Sequence, residues 1–396
     1  MYVSAWPGLS PGHLFRRAPA NGLPFPLDAP GRMYFYRARN AIYHLFRALG
    51  FGAGDQVLVP AYHSGNEVAA IRAAGASVAF YPIARTLEPD LDALARLCTP
   101  GTRAVLAIHF LGWPQPVAEL AAFCRERGLI LVEDCALALL SEAEGQPLGS
   151  FGDYAVFCLY KTLPLPNGAV LVQNRASLPE LASVRLTPCG LVPLAGRSAE
   201  LALEWLRGRF DAPGRTLFAL KRTIGRRLRA AGVDRVPVGD MGFDLGQVDL
   251  AISPVCETLL RRWDYRSIVR RRRENFRLLR DRLAGRATAL KPDLPEGVCP
   301  LFFPILVPDK RAAARALWAR GVEAVEFWND GDPEARAELF PETQFLRDHV
   351  LELPIHQDLG PAEIEHVAAQ VAAVTVQAPR RRSSTSSIPV PDPLSH

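Results

Sequence analysis

Lysine is nearly absent from this chain. Of 46 basic side chains only four are lysine, at positions 161, 221, 291 and 310. Arginine forms no imine and keeps its proton in proteins, so any chemistry that needs a primary amine must fall on one of these four. Closely spaced cysteine pairs are missing too. The seven cysteines (98, 124, 135, 158, 189, 256 and 299) show no Cys-x-x-Cys spacing, which predicts reduced, mostly buried thiols and no metal site. No apolar run is long enough to cross a bilayer. The start, Met1-Tyr-Val-Ser-Ala-Trp-Pro-Gly8, lacks the basic and apolar regions of a secretory leader, so the expectation is a cytoplasmic protein without membrane contact. A net charge of +5 without aromatic-basic interleaving gives no expectation of nucleic acid. Gly-x-Gly-x-x-Gly, the dinucleotide signature, is absent, and so are internal repeats.

What is present is a chain of 396 residues, 49% hydrophobic and 22% charged, large enough for two or more domains with a sizeable core. Residues 1–36 are rich in Pro, Gly and aromatics and read as an N-terminal arm. From 37 onward, short apolar strands alternate with helical patterns: strands at 56–60, 77–81, 103–108 and 129–132, with helices between them. Continuous apolar strands separated by helices predict a parallel sheet covered on both faces. Residues 154–159 and 169–172 read as a strand pair around Lys161. Together 37–240 form the predicted large domain, within which 175–240 is an Arg-rich helical insertion, with helical patterning at 201–206 and 217–228. Residues 241–376 form a smaller C-terminal α/β domain. The Arg-Ser-Thr-Pro-rich tail, 377–396, is predicted to be disordered.

Ligands on open parallel sheets bind beyond the carboxyl ends of the strands. Four predicted strands deliver polar residues there: Tyr62, His63 and Ser64; His109; Glu133 and Asp134; Tyr160 and Lys161. An acid, an amine and an imidazole thus converge on one sheet edge, and the set fits pyridoxal phosphate. Its aldehyde needs a lysine amine, its ring nitrogen a carboxylate, its ring face a flat partner, and its phosphate a helix N-terminus. The helix starting near Asn40, preceded by Arg37-Ala-Arg39, is a candidate phosphate seat.

Several segments carry a more specific likeness. They are Arg-Ala-Leu-Gly-Phe-Gly-Ala-Gly-Asp-Gln-Val-Leu-Val-Pro (47–60), Ile-His-Phe-Leu-Gly-Trp-Pro (108–114), Gly-Leu-Ile-Leu-Val-Glu-Asp-Cys-Ala (128–136) and Gly-Ser-Phe-Gly-Asp (149–153). In this order and spacing the chain resembles the DegT/DnrJ/EryC1/StrS family of pyridoxal-phosphate sugar aminotransferases, over roughly residues 30–375. The resemblance implies fold type I, like aspartate aminotransferase: a large domain with a mostly parallel seven-stranded sheet, plus the smaller C-terminal domain. It implies amino transfer from an amino-acid donor, glutamate or glutamine, to a keto-sugar carried on a nucleotide. Lys161 becomes the Schiff-base lysine and Asp134 the partner of the ring nitrogen. Ala38, Arg39 and Asn40 fall on the phosphate loop, and Cys158 where a phosphate-binding Ser is usual. Asp244 falls where an Asn reaches the phosphate of the neighbouring subunit, which implies a homodimer with shared active sites.

The chain also departs from the pattern. Ser64 stands where an aromatic usually covers the ring, leaving His63 or Tyr62 to stack. Leu137 replaces a Gln, Ala169 a Gly, and the segment from Cys158 to Lys161 is two residues shorter. These changes leave two alternatives: another carbanion chemistry on the same fold, such as a dehydratase, and a degenerate member without catalysis. In related dehydratases a His replaces the lysine, so Lys161 speaks against the first.

Overall fold

A computed structural model describes residues 1–15, 22–175, 177–210 and 242–377. The helical reading of 217–228, Lys221 and the tail beyond 377 lie outside the described residues. The large sheet is built from β1 (Met33–Phe35), β2 (Gln56–Pro60), β3 (Ser77–Tyr81), β4 (Thr102–Ile108), β5 (Ile130–Asp134), β8 (Tyr154–Cys158) and β9 (Ala169–Gln173). Between β5 and β8 lies a two-stranded hairpin, β6 (Glu142–Ala143) and β7 (Gln146–Pro147). The sheet order is β1-β9-β8-β5-β4-β2-β3. β2, β3, β4, β5 and β8 are mutually parallel, while β9 runs against β8 and β1. The mostly parallel seven-stranded sheet is the one the sequence predicts. Its strands read as apolar runs because both faces are covered: every residue of β8, and all of β2 but its first, is buried.

The short α1 (Gly12–Phe15) lies in the N-terminal segment. The helices of the large unit are α2 (Ala38–Ala48), α3 (Asn66–Ala73), α4 (Leu91–Leu97), α5 (Val117–Arg127), α6 (Pro179–Ala182) and α7 (Leu191–Arg209). Their ends follow from local chemistry. Asp90 caps α4 by accepting the Ala93 N–H, and Gly128 ends α5 in the left-handed conformation that only glycine adopts at no steric cost. Helix α7 falls in the Arg-rich stretch. It is not simply solvated: Leu201 is buried, its carbonyl accepts the Leu9 N–H, and Trp205 presses on Gly8.

The chain continues through α8 (Pro254–Leu260) and α9 (Tyr265–Leu283) into a second sheet, β10 (Thr288–Ala289), β11 (Phe302–Leu306) and β12 (Val350–Pro354), antiparallel throughout. It is packed by α10 (Lys310–Ala319), α11 (Pro341–His349) and α12 (Pro361–Gln377). The first residues lie on this smaller unit, where Val3 bridges Val322 and the Tyr2 hydroxyl donates to Glu323. One hydrophobic core runs from the large sheet into the small one through Phe276, Phe302, Phe303 and Phe327. No helix among the described residues is long and apolar enough to cross a membrane.

Candidate active site

A cleft opens at the carboxyl ends of the parallel strands. Its lining includes Ala38, Arg39, Ser64, Glu67, Asp134, Ala136, Leu137, Cys158, Tyr160, Lys161 and Trp328. Of the residues singled out from the sequence, Ala38, Arg39, Asp134, Cys158 and Lys161 meet here.

Asp134 and Glu133 end the same strand, and alternation sends them to opposite faces. Glu133 accepts the N–H groups of Gly149 (2.9 Å), Phe151 (2.8 Å) and Gly152 (2.6 Å), and His109 Nε2 lies 3.0 Å away. His109 Nδ1 accepts the Gln115 N–H, so Nε2 holds the proton and donates to Glu133. The pair clamps the turn before β8. Cys135 lies within 4.8 Å of both, but the carboxylate and imidazole are already spent on each other and on backbone.

Asp134 faces the cleft. Its Oδ1 accepts the Ala136 N–H at 2.8 Å. Burial, then the nearby Glu67 charge, pushes its carboxyl up to about 6, against the opposing pull of the Ala136 N–H, Lys161 and His109. A buried carboxylate with this little solvation gains strongly from a cationic partner.

Lys161 sits in a single turn after β8, closed by the Leu163 N–H on the Leu159 carbonyl. Its Nζ lies 5.7 Å from the centroid of the Phe327 ring of the smaller unit. The next carbonyl, Thr162, accepts from both Arg272 Nη2 (3.2 Å) and Gln357 Nε2 (3.0 Å). Arg272 is 1% exposed and also donates to the carbonyls of Pro300 and Leu301 and to Gln357 Oε1. The Lys161 turn is thereby pinned to the smaller unit.

At the other end of the cleft, the cap residue of α2, Arg37, gives no side-chain hydrogen bond to the first turn. Arg39 projects from that turn and donates to Asn66 Oδ1 (2.6 Å) and to the Gly242 carbonyl. The Cys158 thiol is pushed up by burial and interacts with the Tyr160 hydroxyl; it is a protonated, weak donor there. An anion near Arg39 and the α2 terminus, a cationic ring nitrogen at Asp134 and a carbonyl at Lys161 would each meet complementary chemistry in this one cleft.

Three of the expected residues do not line this chain's own cleft. His63 does not face the cleft: its ring stacks on Phe80 (5.1 Å, 10°), and its Nδ1 accepts the Gly65 N–H. Burial pushes its imidazole down to about 4, so it is neutral. Asn40 is turned to the backbone at 247–248, donating to the carbonyls of Gln247 and Val248. Asp244 is exposed, outside its own cleft, where it accepts the Gly246 N–H.

Two cleft residues escaped the sequence reading. Glu67 is 4% exposed; its Oε1 accepts the Ser64 N–H, while Ser64 Oγ accepts the Asn66 N–H. Ser64-Gly-Asn-Glu67 thus has the Ser-x-x-Glu spacing, visible in the sequence, with only the Glu67-to-backbone half of a capping box formed ahead of a helix cap at Gly65. Trp328 comes from an irregular stretch before α11, where no periodicity points to it.

Residues 37–190 match the DegT/DnrJ/EryC1/StrS aminotransferase family. The chain is 31% identical over 384 residues to a dTDP-4-dehydro-2,3,6-trideoxy-D-glucose 4-aminotransferase of Saccharopolyspora spinosa, covering 93% of this chain and 90% of that protein. It is 33% identical over 137 residues to the GDP-perosamine synthase of Vibrio cholerae, 34% of this chain and 37% of that one. Among solved structures, Helicobacter pylori PseC, an aminotransferase involved in pseudoaminic acid biosynthesis, superposes with a TM-score of 0.66 at 16% identity, over 95% of this chain and 99% of that chain. That likeness shows the shared fold. With this fold and a full-length relative at such identity, the chain is an aminotransferase of the DegT/DnrJ/EryC1/StrS family.

Proposed function

We propose that the enzyme uses pyridoxal phosphate to move an amino group from glutamate or glutamine to the ketone of a nucleotide-linked sugar, as a cytoplasmic homodimer with shared active sites. The observation that carries this reading is the placement of Lys161 and Asp134 in one cleft, with Arg39 and the open end of α2 beside them. The donor set fits the cofactor: a primary amine for its aldehyde, a buried acid for its ring nitrogen, and a guanidinium with a helix terminus for its phosphate.

When bound, the cofactor supplies an electron sink for the carbanion formed at the donor α-carbon. The rest falls to the protein. Asp134 holds the proton on the ring nitrogen, which its scarcity of solvation favours. Lys161 Nζ would hold the cofactor's aldehyde and, as a free amine, would be the base for the proton on the donor α-carbon. Arg272 and Gln357, through the Thr162 carbonyl, keep that amine where both positions are in reach. Arg39 remains charged and anchors the anion. The S. spinosa relative is named for an acceptor that is a dTDP-linked keto-sugar, which supports the same class of acceptor here. Asp244 is exposed, accepting from the Gly246 N–H and Gln247 Nε2 of its own chain, and is the residue that would reach a second subunit; sedimentation at micromolar concentration tests the dimer.

Borohydride reduction of the cofactor-loaded enzyme followed by peptide mass spectrometry tests the assignment. The expected label is on Lys161 alone, with none in Lys161→Arg, and glutamate should bleach the visible band of the unreduced wild type. Label on Lys291 or Lys310 would sink the reading.

A further inference from the structure

A flat heteroaromatic ring held by its edges needs a flat neighbour to fix its plane. The loop between β2 and α3, which borders the cleft, offers none. Ser64 and Glu67 are engaged with each other. His63 lies against Phe80. Tyr62 stands edge-on to Trp328, with centroids 4.8 Å apart at 73°. Tyr160 also lines the cleft, but its hydroxyl is turned to Cys158 beside Arg39, on the side where positive charge gathers.

Trp328 reaches the same cleft from the smaller unit and is 7% exposed. Its backbone is left-handed, at φ 53°, a conformation that a bulky residue holds only when its surroundings impose it. Arg347 of α11 imposes it. Nη1 donates to the carbonyls of Trp328 (2.7 Å) and Asp330 (2.8 Å); Nη2 donates to those of Ala61 (3.2 Å) and His63 (3.3 Å). One guanidinium therefore ties the Trp328 turn to the loop that ends beside Ser64. Behind the indole, Tyr62, Phe110 and Phe327 pack against it, with ring centroids 4.8, 5.6 and 5.9 Å away.

We propose that Trp328 is the flat wall against which the cofactor ring is held, taking over from the opposite unit the place Ser64 leaves open, and that Arg347 is the residue that positions it. The proposal rests on the reading of Lys161 and Asp134 given above. The wall and the lysine's support then both come from that unit.

The test titrates pyridoxal phosphate into cofactor-free wild type, Trp328→Phe, Trp328→Leu and Arg347→Met. Tryptophan emission and borohydride labelling of Lys161 are read together. The expected result is labelling of Lys161 in all four proteins. Affinity should drop about tenfold in Trp328→Leu and be largely rescued by the flat ring of Trp328→Phe. Cofactor-induced quenching should shrink in Trp328→Phe, where the five other tryptophans still emit, and weaken in Arg347→Met. Unchanged affinity in Trp328→Leu, or undiminished quenching in Trp328→Phe, overturns the proposal while leaving the Lys161 assignment intact. No labelling of Lys161 in wild type overturns both.

Discussion

Replacing Asp134 by Asn should make the cofactor-free protein more stable while destroying its grip on the cofactor. Burial pushes the Asp134 carboxyl up to about 6 in the folded chain, from the ordinary aspartate value of 3.8. Because the folded pKa is raised, the penalty is absent below the unfolded value, grows as the pH climbs from about 4, and is complete once it passes the folded value. Each unit corresponds to ~1.4 kcal/mol, so ionising this buried acid costs the folded state about 3 kcal/mol at pH 8 but only about 0.5 kcal/mol at pH 4. Asparagine carries no charge and its Oδ1 can keep the bond from Ala136. The stability difference, variant minus wild type, should therefore widen by about 2.5 kcal/mol between pH 4 and pH 8. Urea unfolding of both cofactor-free proteins across that range measures it; titrating groups remote from Asp134 cancel in the comparison, whereas Glu67, Lys161 and His109, which feel its charge, do not. With saturating cofactor the order should reverse, because ligand binding stabilises only the protein that holds it. A difference that stays flat with pH, or a wild type that gains on the variant as pH rises, would refute the reasoning.

Two other perturbations have defined outcomes. Glu133→Ala strands three backbone N–H groups and His109, and should cost at least about 3 kcal/mol in denaturant unfolding, with partial recovery in Glu133→Gln, whose amide oxygen still accepts. Arg272→Met removes the donor shared by the carbonyls of Thr162, Pro300 and Leu301. It should lower stability by about 3 kcal/mol and slow borohydride labelling of Lys161 at saturating cofactor, the second effect being absent if Arg272 only braces the core.

The parts of the site that could be read from the chain are those fixed by strand geometry. Asp134 and Lys161 come at or just beyond the ends of adjacent parallel strands, and their distance in sequence is erased by the pairing of β5 with β8. Apolar runs bounded by helices likewise predicted the sheet. What escaped lies where a side chain's direction is set by a loop. His63 and Ser64 are neighbours, yet one turns into the core and the other toward the cleft, and no period distinguishes them. Asn40 lies on a helix whose start was located correctly, but which face met 247–248 depended on a segment two hundred residues away. Glu67 was announced by its Ser-x-x-Glu spacing; Trp328 had no local signal, since its place depends on Arg347, which also holds the carbonyls of Ala61 and His63.

The near-lack of ammonium groups makes occupancy of this enzyme countable on a gel. Lys310 is buried, with its Nζ donating to the carbonyls of Phe327 and Arg347, and Lys291 is paired with Glu88; only Lys161 opens into the cleft among the described lysines. A protease that cuts after lysine divides the denatured chain into five pieces. Reductive capture at Lys161 erases one cut and fuses residues 1–161 with 162–221 into a single fragment. The proportion of that fragment reports, molecule by molecule, how many active sites were filled when the reductant was added.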